Sequence, residues 1–380
     1  MNAATRATYI AFAANGFAFA SWASRIPAVK DRLDLDAQEL GLVLLAIAVG
    51  SVIAMPSSGP LVARYGSRRV VATMAVIGGC AMVLVGFGHM AGVIPLVIGL
   101  FIWGLATGIW DVAMNIQGAL VEQHLGRSIM SRFHAGWSIG TVAGALLGTI
   151  MVAIGVPVAA HLSVIGVAIA LGVPRAVQDY LPDEPDEHTE QPSAWKAWTE
   201  ARTLLVGLFV LAFAFGEGAA NDWIGVAMID DREASHAVGT LALATFLASM
   251  TAGRWVGPGV LDRFGRVKTL RTQGVIAIVG LALFIFGGSV AVGFLGVVLW
   301  GIGISLGLPI GMSAGADDPA MAAPRVSVIS SIGYCAFLGG PPLIGFLGEA
   351  DTVLHALIAV MITLVVALFL TPVIRPLERR

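Results

Sequence analysis

Thr272 to Ala316 reads TQGVIAIVGLALFIFGGSVAVGFLGVVLWGIGISLGLPIGMSAGA, without one Asp, Glu, Lys or Arg. About 20 apolar residues carry a helix across a bilayer's hydrocarbon core. The run is therefore long enough to cross twice, and Gly287-Gly288-Ser289 supplies the turn between the crossings. Phe133 to Pro174 is free of the same four residue types and bends at Gly155-Val-Pro157, so it reads as a second helical hairpin.

The same reading extends outward to spans near 7–29, 38–62, 69–88, 92–121, 132–154 and 158–174. A second set falls near 204–229, 237–260, 271–288, 291–314, 325–347 and 353–373. Only helices and closed barrels satisfy their backbone in lipid, and runs this long and apolar exclude a barrel. The expected fold is all-α, with twelve transmembrane helices in two six-helix bundles, residues 1–175 and 203–380, joined by a linker over 176–202. Arg6 before the apolar run Tyr9 to Ala20 imitates a signal peptide, but equally apolar runs follow, so an uncleaved first span is expected.

Composition agrees with a lipid solvent. Only 12% of the 380 residues are charged and 57% are apolar, against about 25% charged in soluble domains. A net charge of -2 gives no basic surface for nucleic acid. Cys80 and Cys335 lie in apolar stretches without metal-ligand spacing and read as packing residues. No Gly-Lys-[Ser/Thr] accompanies the three lysines, so no P-loop is present. No nucleophile–base pair or metal cluster suggests an enzyme, and no cofactor is expected.

Arg64, Arg68, Arg69, Arg127, Arg132, Arg263, Arg266, Lys268, Arg271, Arg325, Arg375, Arg379 and Arg380 fall on one side of an even-numbered topology. Only Arg25, Lys30, Arg32 and Arg232 fall on the other. The positive-inside rule then predicts an inner (plasma) membrane protein with both termini cytoplasmic. The linker, which holds the acidic cluster Asp183 to Glu190 and Pro182, Pro185 and Pro192, lies on the same side. Trp195 and Trp198 suit a membrane interface.

The halves repeat. Pro60-Leu-Val-Ala63-Arg64-Tyr-Gly66 matches Gly259-Val-Leu-Asp262-Arg263-Phe-Gly265, Trp103-Gly104 matches Trp300-Gly301, and Ser138-Ile-Gly140 matches Ser331-Ile-Gly333. Six-helix repeats around a midplane site are a transporter design that works by alternating access. Asp262-Arg263-Phe264-Gly265-Arg266 resembles the loop signature of the major facilitator superfamily, and Gly59 to Arg69 carries a second copy. Trp110-Asp111-Val-Ala-Met-Asn115, Phe133-His134-Ala-Gly-Trp137-Ser138 and Glu217-Gly-Ala-Ala-Asn221-Asp222-Trp223 are similar to its MosC-like and YbjJ-like branch, which is related to fucose permeases. The resemblance implies a gating latch formed by Gly59, Arg64, Gly66, Arg68, Asp262, Arg263, Gly265 and Arg266. The first copy departs from it with Ala63 in the acid's place, so the latch is expected to lean on Asp262 with Arg254.

Ionisable groups inside spans cost several kcal/mol unless they face a cavity or partner. Glu217, near the middle of span seven, and Asp111, in span four, are the proton-coupling candidates, because burial disfavours a charged carboxylate. The alternative for each is a permanent ion pair or a buried, hydrogen-bonded acid. Asn115 and Asn221 share their faces at four-residue spacing. They join Asn15 and Trp110 as substrate-binding candidates, with Trp22, Trp137 and Trp223 as further stacking surfaces. Asp222 is the outer-gate candidate. His134 reads as an interhelical or headgroup-level group. Gly140, Gly144 and Gly148 suit close helix packing, and Gly339-Gly340-Pro341-Pro342 is expected to kink span eleven. Span five lacks the Gly-Pro pair typical of drug:proton antiporters. These features point to a monomeric, proton-coupled symporter for a small polar, sugar-like metabolite. A metabolite or drug exporter running as a proton antiporter, and a membrane sensor that does not transport, are the alternatives.

Overall fold

The computed structural model describes residues 3–126, 129–183, 194–318 and 321–376. Arg127, Arg379, Arg380, Pro185, Pro192 and the acidic residues Glu184 to Glu190 lie outside these. Two compact units are present: Met1–Glu187 with Ser235–Ala244, and His188–Ala234 with Thr245–Arg380.

Among the described residues every regular element is helical. The first unit holds α1 (Ala3–Ala23), α2 (Ile26–Leu33), α3 (Ala37–Tyr65), α4 (Ser67–Ala91), α5 (Val93–Leu125), α6 (Met130–Ala153) and α7 (Val158–Ala176). After it come α8 (Ala194–Ala197), α9 (Ala201–Asp230), α10 (His236–Phe264), α11 (Arg266–Phe286), α12 (Val290–Ile304), α13 (Gly307–Gly315), α14 (Ala322–Ala350), α15 (Val353–Ala356) and α16 (Ile358–Leu370). Among the described residues, eleven helices are long and apolar enough to cross a membrane. The first helix, α1, has 21 residues and packs against α5, α6 and α7.

Local sequence sets the ends. Asp36 and Glu39 form a reciprocal capping box at the start of α3, with hydrogen bonds of 2.7 and 3.2 Å. Gly66, at φ 81°, ends α3 and begins α4 in a conformation that a side chain would strain.

The structure departs from twelve uninterrupted spans. The first breaks at Ser24–Arg25, the tenth at Ser305–Leu306 and the twelfth at Leu357. By contrast, α14 stays helical through Pro341 and Pro342. The first residues of the expected linker, up to Asp183, pack on the first bundle, as described below.

Each unit packs its spans in the same pattern. In the first, α1 lies against α6, α3 and α4 against α5, and α4 against α7. In the second, α9 lies against α14, α11 against α12, and α11 against α16. The matched Trp-Gly pairs explain part of this. A Cβ on Gly104 would strike the Ile47 carbonyl on α3, and one on Gly301 would strike the Phe246 carbonyl on α10. In both units the fourth span approaches the second so closely that only glycine fits.

Candidate functional site

In the second unit α9 carries Glu217 and α10 carries Arg254. An Arg254 Nη2 donates to Glu217 Oε2 at 2.9 Å, with the side chains 24% and 11% exposed respectively. The same guanidinium donates through Nε to the Ser305 carbonyl at 3.3 Å. That carbonyl lies where the tenth span is interrupted, between α12 and α13. A break in a helix frees backbone acceptors, and a cation is one way to satisfy them. Gln273 Nε2 on α11 donates to Ser305 Oγ at 3.1 Å, so four spans meet in one polar cluster. One turn beyond Glu217, Asn221 is buried and its Oδ1 accepts no hydrogen bond from the described residues.

The expected Arg254–Asp262 latch is not formed. Both residues belong to α10, and eight residues of helix separate them by about 12 Å. Asp262 is exposed and makes no ion pair among the described residues. Arg254 turns instead to the acid singled out for coupling.

In the first unit Asp111 and Asn115 share one face of α5, as their spacing predicts. Asn115 Nδ2 donates to the Asp111 carbonyl at 2.8 Å and, at 3.4 Å, to its carboxylate. Among the described residues no cation pairs with Asp111. On α1, Asn15 Oδ1 accepts from Trp137 Nε1 at 3.0 Å, while its own Nδ2 is buried and unpartnered. Trp110, the expected substrate-binding aromatic, is 1% exposed and packed inside the bundle. Trp22 and Trp223 are buried as well. Asp222 is half-buried and forms no ion pair among the described residues. His134 is exposed, its ring edge-on to Phe12.

The two loop motifs are built differently. In the first, Asp183, from the segment after α7, brings Oδ2 to the Ser67 backbone N–H at 2.7 Å. Ser67 Oγ then donates to Gln117 Oε1 at 3.0 Å. The Tyr180 hydroxyl, three residues before Asp183, is pushed up by burial and further by the Asp183 carboxylate. In the second, Arg266 donates to Asp317 at 2.7 Å and to Ser313 at 3.0 Å. Asp317 also receives Arg202 at 2.9 Å. Gly59, Arg64, Arg68 and Arg263 are exposed, and Arg64 and Arg263 lie over the rings of Tyr65 and Phe264. Arg25, which the sequence places among the few cations of the opposite side, is buried and donates to His161 Nδ1 at 2.8 Å.

Residues 8–324 match the family model described as Major Facilitator Superfamily. The chain belongs to the major facilitator superfamily. The transporter y4wD of Sinorhizobium fredii is 32% identical over 368 residues, 96% of each chain. An MFS-type transporter of Yersinia pestis is 30% identical over 351 residues, 91% of this chain and 89% of that one. The membrane protein MosC of Rhizobium meliloti is 28% identical over 353 residues, 92% and 85% of the two chains.

The fold is shared with solved structures of low identity. The nucleoside transporter NupG, in a mutant form, superposes with a TM-score of 0.81 at 14% identity, covering 98% of this chain and all of that one. A variant of the E. coli fucose:proton symporter FucP gives 0.63 at 16% identity, covering 97% and 99%. This superfamily member is thus a multi-pass membrane transporter. Asp317, Arg202, Asp183 and Arg25 were not distinguishable in the sequence, because each acts through partners that only the tertiary packing brings near.

Proposed function

We propose that this chain is a proton-coupled symporter for a small polar metabolite, working by alternating access in the bacterial inner membrane with both termini cytoplasmic. The observation that carries the reading is the Glu217–Arg254 pair beside the unpartnered Asn221 carbonyl. A buried carboxylate has two stable states: ionised against a cation, or protonated without it. In this mechanism a proton taken up by Glu217 releases Arg254, which then becomes available to a hydrogen-bonding solute. Asp111, with Asn115 beside it and no cation paired to it among the described residues, is the second carboxylate able to carry a proton. Arginine cations concentrated on one side of the spans support the orientation. Nucleosides and fucose, named for two fold neighbours, are hydroxyl-rich solutes, which supports a polar substrate here. Each proton entering down 100 mV supplies about 2.3 kcal/mol for concentrating the solute.

Purified protein in liposomes, with an imposed pH gradient, tests the reading against a panel of radiolabelled sugars, polyols and nucleosides. Uptake should follow the inward proton gradient and lose its pH dependence in Glu217→Gln. Unchanged proton dependence in that variant would remove Glu217 from coupling, and repetition with Asp111→Asn would then assign it. Flux opposite to the proton identifies an antiporter, and binding without flux identifies a sensor.

A further inference from the structure

We propose that the start of α11 is a binding site for the headgroup of an anionic phospholipid. A cavity of about 440 Å³ opens there, lined by Phe264, Gly265, Arg266, Lys268, Arg271 and Thr272 among others. Lys268 and Arg271 are exposed and neither pairs with a carboxylate among the described residues. Arg271 Nε only donates to Thr371 Oγ1, at 2.8 Å. The Lys268 ammonium stands 5.0 Å from the centre of the Phe264 ring. Arg266 adds positive charge, partly offset by Asp317.

The chain itself shows what this backbone accepts. Gly66 and Gly265 have the same shape, φ 81° with ψ 147° and φ 74° with ψ 166°, each at the head of the third span of its half. At Gly66 the Asp183 carboxylate occupies the place where a Cβ would point, 3.0 Å away, and it takes the first N–H of α4. At Gly265 none of the described residues lies within 4 Å of that place, and among them no carboxylate takes the first N–H of α11 as Asp183 does for α4. An oxyanion therefore fits this turn, and in the second half none of the described residues provides one. The same point gathers the helix N-terminus and three cationic side chains.

A free anion would explain the head of the site but not what lies above it. Along one face of α11, Thr272 is followed by Val275, Val279 and Phe286, all exposed. Their spacing of three, four and seven residues is one helical stripe. It gives an acyl chain an apolar path leading from the cations into the hydrocarbon layer. Basic pockets at the ends of membrane helices recognise anionic headgroups in this manner.

Native mass spectrometry of the full chain in detergent, titrated with palmitoyl-oleoyl phosphatidylglycerol, tests the site. Phosphatidylcholine of the same chains and inorganic phosphate form the comparison arms. One tightly held phosphatidylglycerol should appear, neither matched by phosphatidylcholine nor displaced by phosphate. Lys268→Gln with Arg271→Gln should weaken it about thirtyfold, from two surface cations each contributing about fivefold. The charge-preserving Lys268→Arg with Arg271→Lys should keep it, as should Arg68→Gln with Arg69→Gln at the closed turn of the first half. Equal retention of phosphatidylcholine by the wild type overturns the proposal even if the double variant does not fold. So does an unaltered affinity in the Gln variant. Displacement by inorganic phosphate at equal concentration overturns the lipid assignment in favour of a free anion.

Discussion

At the scale of the residue, the arrangement turns on Glu217 and Arg254. A charge removed from water and left without its partner is expensive, whereas the pair itself contributes little net stability. Arg254→Met should therefore lower stability by about 3–5 kcal/mol in the ionised state. Glu217→Gln with Arg254→Met should recover most of that loss. Thermal unfolding in detergent, read by intrinsic fluorescence, checks the cycle; equal destabilisation by the single and double variants would refute the pairing as the cause. Asp111 with Asn115 could be read from the sequence because a four-residue spacing fixes a shared helix face wherever the helix packs. Glu217 was legible as an intramembrane acid, but its partner was not. Arg254 lies 37 positions away on another helix, and the loop acid Asp262, nearer in sequence, is about 12 Å along the same one. The burial of Trp110 was hidden for a related reason: composition marks an aromatic ring as able to stack, and only packing shows how much of it is covered.

At the scale of the element, span positions were readable because lipid demands long apolar runs. The breaks at Ser305–Leu306 and Leu357 were not, since apolar sequence continues straight through them. At the first of them a frayed carbonyl finds a partner in the fold, Ser305 with Arg254. The end of α9 nearest Glu200 is held in a comparable way. Arg325 Nε and Nη2 donate to the two Glu200 oxygens at 2.6 and 3.1 Å, and Nη1 reaches Asp318 at 3.1 Å. The hydrogen bond from Arg325 holds the Glu200 carboxyl below the usual range, with burial opposing it. The sign is that of a depressed acid: its contribution is complete above the unfolded value, about 4.3, and vanishes as pH falls through the lower folded value. The difference in melting temperature between wild type and Glu200→Gln should thus be constant from about pH 7 to about pH 5 and close below about pH 4. A gap that widens on acidification would contradict this. The pair is partly exposed, so high salt should narrow the gap as well.

At the scale of the whole molecule, the two halves repeat one packing plan and solve one turn in two ways. The repeat was visible as matched Trp-Gly and Arg-aromatic-Gly fragments because close approaches and positive φ leave few residue choices. What the sequence concealed was the supply of negative charge at the turn, since Asp183 follows the sixth span and has no motif around it. Ala63 looks like a lost function, yet the position it vacates is not the one that serves the helix. In the second half Asp262 keeps the acid, yet it is exposed, and among the described residues no side chain takes the first N–H of α11. The first half therefore depends on Asp183 and not on the missing motif acid. Asp183→Ala should destabilise the first bundle by about 1–2 kcal/mol, the worth of a helix N-cap, and lower the melting temperature of the full chain. Adding Ala63→Asp should fail to restore it, because residue 63 precedes the turn by three positions just as Asp262 does. If Ala63→Asp does rescue the loss, the motif acid caps its helix after all. The exposed Asp262 would then belong to a different conformation of the second half.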